Sequence, residues 1–292
     1  MSHLIIKYMD VILVFNGLGN QMSQYAFYLA KKRWNENVKC IFATNSYNPH
    51  NGSELERIFG ISYEKSLTTR FLTLIYGYKS RPKIWKVLKF LLRIREIRES
   101  YNYDYDESKL KSCSKYCITF YWGGWHSEKY YTDIVEMLKK TYSFTLPYNP
   151  INQPFIDSIK TTQSVSLHIR RGDYLKYKEY GEVTTIDYYR RAIGYIRERI
   201  NNPVFYIFSN DINWCRNNFN GDEYYFIDNN SRQDAWQDML LMSMCKHHIN
   251  ANSTFSWWAA WLSENNGIII VPKRFILNTM TKDIYPEKWI KL

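Results

Sequence analysis

The sequence predicts an α/β protein made of two parallel, doubly wound lobes, and three observations carry that prediction. Short apolar runs rich in Val, Ile and Phe alternate with stretches of helical period along most of the chain. A chain of 292 residues is long for one hydrophobic core, so two lobes of about 150 residues each are expected. Pro147, Pro150 and Pro154, with Asn149 and Asn152 among them, mark the junction, which puts the lobes at 1–150 and 151–292.

The first lobe opens with a strand over 11–15, a glycine turn, a helix over 24–33 and a strand over 38–43, which together make a βαβ unit. Residues 46–116 form a polar, tyrosine-rich insertion of irregular or helical character. A strand over 117–121 and a helix over 132–141 close the lobe. Beyond the junction the alternation is regular, with strands over 165–169, 204–208, 224–227, 248–251 and 268–271. Helices over 188–200, 233–244 and 255–262 separate them. Five strands separated by helices describe a parallel sheet with right-handed crossovers.

Composition narrows the function. With 45% hydrophobic and 23% charged residues the chain reads as soluble and globular, and it carries an unusual 26 Tyr and 10 Trp, rings that suit sugar and base stacking as well as cores. Five scattered cysteines without a CxxC pair indicate neither a disulfide framework nor a zinc ribbon and fit a reducing, cytoplasmic setting. The apolar start reads as a first strand, not a signal peptide, and no run approaches the roughly 20 apolar residues of a membrane span. A formal charge of +11 calls for an anionic partner: nucleic acid, a membrane surface or a phosphorylated substrate. Much of that charge lies over 81–98, where basic residues interleave with Trp85, Leu88, Leu91, Leu92 and Ile94 in a helix-like pattern. Such a helix either packs on the core or lies on an anionic bilayer.

Four strand ends carry chemistry. His168, Arg170, Arg171 and Asp173 stand where an apolar strand meets a glycine turn, which is a place to hold a phosphate through an arginine fork. A structural ion pair of Arg171 with Asp173 is the plain alternative. Gly17 and Gly19 in the opening turn permit close backbone approach ahead of a helix N-terminus, although the third glycine of a dinucleotide fingerprint is absent. Asn210 and Asp211 follow a third strand, where Asp211 suits a purine amino edge, a ribose hydroxyl or an N-cap. Asn252, Ser253 and Thr254 lie between a strand and a helix and could cradle phosphate or cap that helix. In two βα lobes these ends converge on one cleft.

His168-Ile-Arg-Arg-Gly-Asp173 resembles the HxRRxD motif of GDP-fucose-dependent fucosyltransferases. Gly17-Leu-Gly-Asn-Gln-Met22 with Gln24-Tyr-Ala26, Phe208-Ser-Asn-Asp211 and Asn252-Ser-Thr-Phe-Ser-Trp-Trp258 are similar to blocks of glycosyltransferase family 11, the α-1,2-fucosyltransferases, in the same order. Against that pattern Asn16 replaces a glycine, Ser23 a phenylalanine, and Asn250 takes an apolar position. The family start also points to Met9 as an initiator, with residues 1–8 upstream of it.

The resemblance implies a GT-B-like architecture, two Rossmann-like βαβ lobes with a cleft between them, with GDP-fucose held by the C-terminal lobe and the acceptor on the N-terminal side. It implies Arg170 on the β-phosphate, where it stabilises the leaving group. Ser253 and Thr254 would bond the pyrophosphate with Asn252 beside them, Asn210 or Asp211 would read guanosine, and His168 and Asn20 would approach the donor. Arg171, Asp173, Gly17 and Gly19 would support these groups. The reaction implied is an inverting transfer of fucose to the 2-hydroxyl of a β-galactoside in a surface glycan such as an O-antigen or capsule, with Glu179 as base and, less convincingly, Glu182 or Asp10. No metal or other cofactor is implied.

Rival readings keep the donor site but change the linkage, to α-1,6 or a protein hydroxyl, or drop catalysis for sugar binding. A basic nucleic-acid-binding protein would share the charge and bind with steep salt dependence, but would leave the strand-end groups unexplained. Asp104-Tyr-Asp106 spells a metal–diphosphate DxD, without the surrounding βα pattern that motif needs. Cys245-Lys-His-His248 lacks further ligands at zinc spacing. A lipid-linked acceptor at the inner membrane face, with 81–98 as peripheral contact, completes the expectation.

Overall fold

A computed structural model describes residues 8–43, 51–112 and 116–292, and the chain divides into two compact units between Thr145 and Leu146. The first unit runs β1 (Met9–Val14), α1 (Leu18–Lys32), β2 (Val38–Phe42), α2 (Glu54–Phe59), α3 (Leu67–Gly77), α4 (Pro82–Leu91), β3 (Ile94–Arg98), α5 (Glu107–Lys111), β4 (Ile118–Trp122) and α6 (Val135–Thr141). Its sheet is parallel in the order β2-β1-β4-β3, with Ile12 beside Cys40 on one side and Tyr121 on the other. Val11 to Val14 are all fully buried, as expected of a central strand covered on both faces.

Between β2 and β4 the described residues form four α-helices and a sheet strand, and the strand is what the irregular or helical expectation lacked. The basic segment 81–98 is not one helix: α4 ends at Leu91, Arg93 takes φ 46°, and β3 continues as the edge strand beside β4. The two isoleucines of Ile94-Arg-Glu-Ile-Arg98 are three residues apart, a helical spacing, yet Ile94 is buried, Arg95 is exposed and pairing with β4 holds the segment extended. The proposed start at Met9 concerns a boundary whose upstream residues, 1–7, lie outside the described residues.

The second unit runs α7 (Gln153–Thr161), β5 (Gln163–Ile169), α8 (Lys178–Gly181), α9 (Ile186–Arg197), β6 (Pro203–Ser209), α10 (Ile212–Asn218), β7 (Tyr224–Ile227), α11 (Trp236–Met244), β8 (His247–Ile249), α12 (Thr254–Leu262), β9 (Ile269–Val271) and β10 (Ile290–Lys291). The parallel sheet has the order β10-β9-β8-β5-β6-β7. Its first strand is central, the chain winds outward through β6 and β7, then returns to add β8, β9 and β10 on the other side. That is the doubly wound nucleotide-binding order, and its switch point lies between β5 and β8. Leu167 sits there, flanked by Ile207 and Ile249, all three fully buried. The two-residue β10 had no counterpart in the sequence reading. Each unit is a Rossmann-like α/β layer, and two such layers in one chain place the fold in the GT-B-like class.

Candidate active site

The site grows from the carboxyl end of β5. After Ile169 the chain leaves the sheet and enters a 3-10 turn over Gly172–Lys176. Arg170 Nη2 stands 2.9 Å from the Asp173 carboxylate, its guanidinium lies 5.4 Å from the centre of the Tyr174 ring, and its Nε is buried with no hydrogen-bond partner. A buried guanidinium N–H left unmet is costly, which marks this position as one the fold alone does not explain. Arg171 turns the other way. Its Nε lies 3.1 Å from Asp211 Oδ2 and its guanidinium 4.1 Å above the Trp214 ring, while its backbone N–H donates to Asn210 Oδ1 at 2.9 Å. Asn210 also donates to Asp173 Oδ1 at 3.3 Å. Any Cβ at position 172 would run into this Asn210 side chain, which accounts for Gly172 in the motif.

His168, one residue inside the strand, is 5% exposed, and its ring lies 5.9 Å from Phe255. Burial, with the Arg170 charge adding to it, pushes its pKa down to about 3, so the imidazole is neutral at physiological pH. Its Nδ1 is buried without a partner. Two unmet nitrogens, Arg170 Nε and His168 Nδ1, therefore sit at one strand end.

Both residues line a cavity of about 390 Å³ at the carboxyl ends of β5, β6 and β7, within the roughly 300–1,000 Å³ of small-molecule pockets. Asn210 closes one wall; Asp228, Asn230 and Arg232 lie at the far side, and Phe255 from α12 supplies an apolar face. Asp238 on α11 completes the lining. Its Oδ1 accepts from Asn230 Nδ2 at 2.8 Å, and Asn230 is held by Asn152 at 3.0 Å. Burial lifts its carboxyl to about 7, against the opposing bond from Asn230.

The other expected residues fall out unevenly. Asp211 caps α10 by accepting from Trp214 N at 3.3 Å and pairs with Arg171, so both carboxylate oxygens are engaged and it does not line the cavity. Asn252 is fully buried and donates to the carbonyls of Tyr180 and Phe275 at 3.1 and 3.0 Å, tying the α8 turn and the C-terminal segment together. Ser253 caps α12 through Phe255 N at 3.3 Å, and Thr254 opens that helix. Glu179 is exposed on the single turn α8, and Glu182 is exposed just after it.

In the first unit, Asn16 adopts φ 65°, a left-handed conformation that asparagine tolerates better than most non-glycine residues. This explains how it stands where a glycine is usual. Gln21 locks the turn by donating to Asn16 O at 2.7 Å and Gly52 O at 2.8 Å while accepting from Glu54 N at 3.0 Å. Gly17 precedes α1 in an extended conformation, with Gly19 buried and Asn20 half-buried in the helix's first turn. Ser23 fills its phenylalanine position by meeting His126 Nδ1 at 3.0 Å. Asp10 lies in β1, fully buried and 3.5 Å from the Lys31 ammonium, so it belongs to the core of the sheet rather than to a strand-end loop. Asp106 caps α5 and pairs with Lys109, Asp104 accepts from Asn102, and no group of three or more His, Cys, Asp or Glu gathers as a metal site among the described residues.

Sequence reasoning missed Asp238 and Glu99. Asp238 belongs to a mainly apolar helix, where a carboxylate was the available signal. Glu99 follows β3 and accepts N–H bonds from Gly124 and Trp125 at 2.6 and 2.8 Å, yet burial still raises it to about 7.

A Rossmann-ordered unit with an unmet arginine donor at its switch point, beside a ligand-sized cavity, defines a nucleotide-binding enzyme domain, paired in this chain with a second α/β unit. Residues 54–292 match the family model Glycosyl transferase family 11, and the chain belongs to that family of glycosyltransferases. An Alpha-1,2-colitosyltransferase of Escherichia coli is 35% identical over 94% of this chain and 96% of its own length. The O-antigen biosynthesis glycosyltransferase WbnK, also of E. coli, is 27% identical over 94% of this chain and 98% of its own. Galactoside alpha-(1,2)-fucosyltransferase 1 of Saimiri boliviensis boliviensis shares 33% identity over 36% of this chain and 30% of its own. Among solved structures, a mutant of Arabidopsis thaliana FUT1 in complex with GDP superposes with a TM-score of 0.53 at 12% identity, covering 90% of this chain and 70% of that one.

Proposed function

We propose that this chain is an inverting α-1,2-fucosyltransferase that moves L-fucose from GDP-β-L-fucose to the 2-hydroxyl of a β-galactoside in a surface glycan. The observation that carries the reading is the unmet Arg170 Nε at the β5 end, next to neutral His168, on the wall of the second unit's cavity. In this reading Arg170 grips the β-phosphate. The acceptor oxygen attacks the anomeric carbon from the face opposite GDP, the bond from that carbon to the phosphate oxygen breaks with its electron pair going to GDP, and the guanidinium meets the charge that develops. The acceptor proton passes to a base, for which exposed Glu179 remains our assignment, or to water if bond breaking runs ahead of attack. Ser253 and Thr254 flank the phosphate from the α12 end, and Asn20 serves the acceptor-side unit, 1–150. Of the two residues expected to read guanosine, Asn210 stays on the cavity wall and Asp211 does not, and we assign the base-reading carboxylate to Asp238, which suits the paired N1–H and N2–H donors of guanine.

A second donor is favoured by one observation: the relative matching 94% of the chain at 35% identity is a colitosyltransferase. Colitose is the 3-deoxy analogue of L-fucose, so the same phosphate and base contacts serve GDP-colitose. The deciding experiment incubates the purified chain, without added metal, with each GDP-sugar against a panel of β-galactosides, followed by linkage analysis. Transfer to O2 of galactose is the expected result. A product at O6 or on a protein hydroxyl would replace the linkage, and absence of both turnover and GDP binding would remove the reading.

A further inference from the structure

The helices α3 and α4, joined by a short 3-10 turn over Tyr78–Ser80, each bury one stripe and leave a second apolar stripe in solvent. On α3 the buried stripe is Thr69, Leu72, Ile75 and Tyr76; the exposed one is Leu67, Phe71 and Leu74, at i, i+4 and i+7, with Leu67 84% exposed. On α4 Trp85 turns inward against Tyr76 and Phe120, whereas Ile84, Val87 and Leu91, at i, i+3 and i+7, and Phe90 at 84% exposure face outward. Helices of a soluble protein usually solvate such a face with polar residues. These carry seven large apolar side chains on it.

Charge says what covers this surface. Between Ser66 and Arg95 the chain has eight basic residues and no acidic one. Lys79 and Lys89 are taken up by Glu96 on β3, the latter at 3.5 Å. Arg70, Arg81, Lys83, Lys86 and Arg93 are exposed and have no ion-pair partner among the described residues. An apolar stripe rimmed by unpaired cations matches the bilayer interface, where acyl chains receive the apolar groups and anionic headgroups the basic ones. Nucleic acid would engage the cations and leave Phe90 and Leu91 in water. No helix among the described residues is long and apolar enough to cross a membrane, which leaves interfacial seating.

We propose that the outer faces of α3 and α4, whose inner residues Leu72, Ile75, Tyr76 and Trp85 share one core cluster, are a docking surface for an anionic phospholipid bilayer, seated through Leu67, Phe71, Leu74, Val87, Phe90 and Leu91 and steered by Arg81, Lys83 and Lys86. The surface stands independently of the transfer reaction, since none of these residues belongs to the cavity of the second unit.

The test is flotation of the full chain with vesicles of phosphatidylcholine alone or with increasing phosphatidylglycerol. The wild type should float with the anionic vesicles, stay behind with the neutral ones, and be released as salt rises. Phe90→Asp/Leu91→Asp should lose binding at any salt. Arg81→Glu/Lys83→Glu/Lys86→Glu should weaken it about 100-fold or more. Both variants should keep the wild-type unfolding temperature and GDP affinity, which separates failure of this proposal from failure of the donor reading. Four results would overturn it, of which three concern the apolar face: no wild-type flotation at any anionic fraction; flotation unchanged by Phe90→Asp/Leu91→Asp; or a wild-type dimer in solution that this variant dissociates while vesicles go unbound, which would make the face a contact between copies. Tight RNA binding lost only in the charge-reversal variant, without flotation, would likewise replace the bilayer with nucleic acid.

Discussion

Arg170 and Asp173, three residues apart, meet at 2.9 Å across the turn that leaves β5, while Arg171 between them pairs instead with Asp211 at 3.1 Å. The two arginines of the motif thus have separate partners and separate tasks. Asp173 sets the guanidinium that faces the cavity, and Arg171 pins the turn to the end of β6.

This division predicts a graded response in GDP binding. Arg170→Ala should cost about 1.5–3 kcal/mol, the worth of hydrogen bonds to a charged group. Asp173→Asn, which loosens Arg170 without removing it, should cost about 1 kcal/mol or less because the pair is partly exposed. Calorimetric titration with GDP reads both, and equal losses would contradict the assignment.

Asp238 should set base selectivity. Asp238→Asn should weaken GDP and strengthen binding of xanthosine diphosphate, because an amide can donate to the carbonyl that replaces the guanine amino group. The ionised carboxylate is the form that accepts two N–H donors, and its pKa stands near 7. Wild-type GDP affinity should therefore rise as pH climbs through about 7, and the variant should lose that rise. Competition binding at pH 6 and 8 is the check.

Asn250 should be a stability liability. It is 1% exposed, and both its amide atoms are buried without a partner. It also stands at a position where the family pattern is apolar. Asn250→Ile should stabilise the protein by about 1–2 kcal/mol by removing unmet polar groups, measured as an upward shift of the unfolding midpoint; a downward shift would show that the site is satisfied by solvent.

Buried histidines should shape the acid limb of stability. His126, His168 and His248 each have a pKa lowered to about 3 by burial. Between the unfolded value of 6.5 and about 3, the unfolded chain takes up protons that the folded chain refuses, so the stability they confer is present above pH 6.5 and lost as pH falls. Glu99 and Asp238, raised to about 7, act in the opposite sense: the folded chain keeps their protons, and that contribution is lost as pH rises towards 7. Opposing signs make single variants the clean readout. The stability of wild type relative to His248→Asn should fall by about 1.4 kcal/mol per pH unit below 6.5, as denaturant unfolding between pH 7.5 and 5 would record.

Much of this architecture is legible in the sequence. The strands of the second unit stand out because a parallel sheet buries both faces: Phe205 to Phe208 read as an unbroken apolar run, and Val165, Leu167 and Ile169 as an apolar series interrupted only by Ser166 and His168, both buried. The Arg170 turn was legible because its residue types are unusual at the end of such a run. What escaped did so for physical reasons. The strand β3 lies at an edge, where charged residues are tolerated, and the i, i+3 spacing of Ile94 and Ile97 continues the helical period of α4 before it. The pairing of Arg171 with Asp211 joins residues 40 apart, which no local spacing reveals. Asp238 reaches the cavity from a helix rather than from a strand end, and the hydrogen bonds of Asn252 to the Tyr180 and Phe275 carbonyls join segments 72 and 23 residues away, again beyond any local spacing.

The left-handed Asn16 has a chemical consequence of its own. It is exposed and followed by Gly17, the neighbour that least hinders attack of a backbone nitrogen on the asparagine side-chain carbonyl. That ring closure expels ammonia, and hydrolysis of the resulting succinimide leaves aspartate or a β-linked isoaspartate. Ageing of the protein would thus place a negative charge, or an extra backbone carbon, in the turn whose carbonyl Gln21 grips. Stored preparations would drift into a mixed population at the first strand end while the Arg170 turn stays intact.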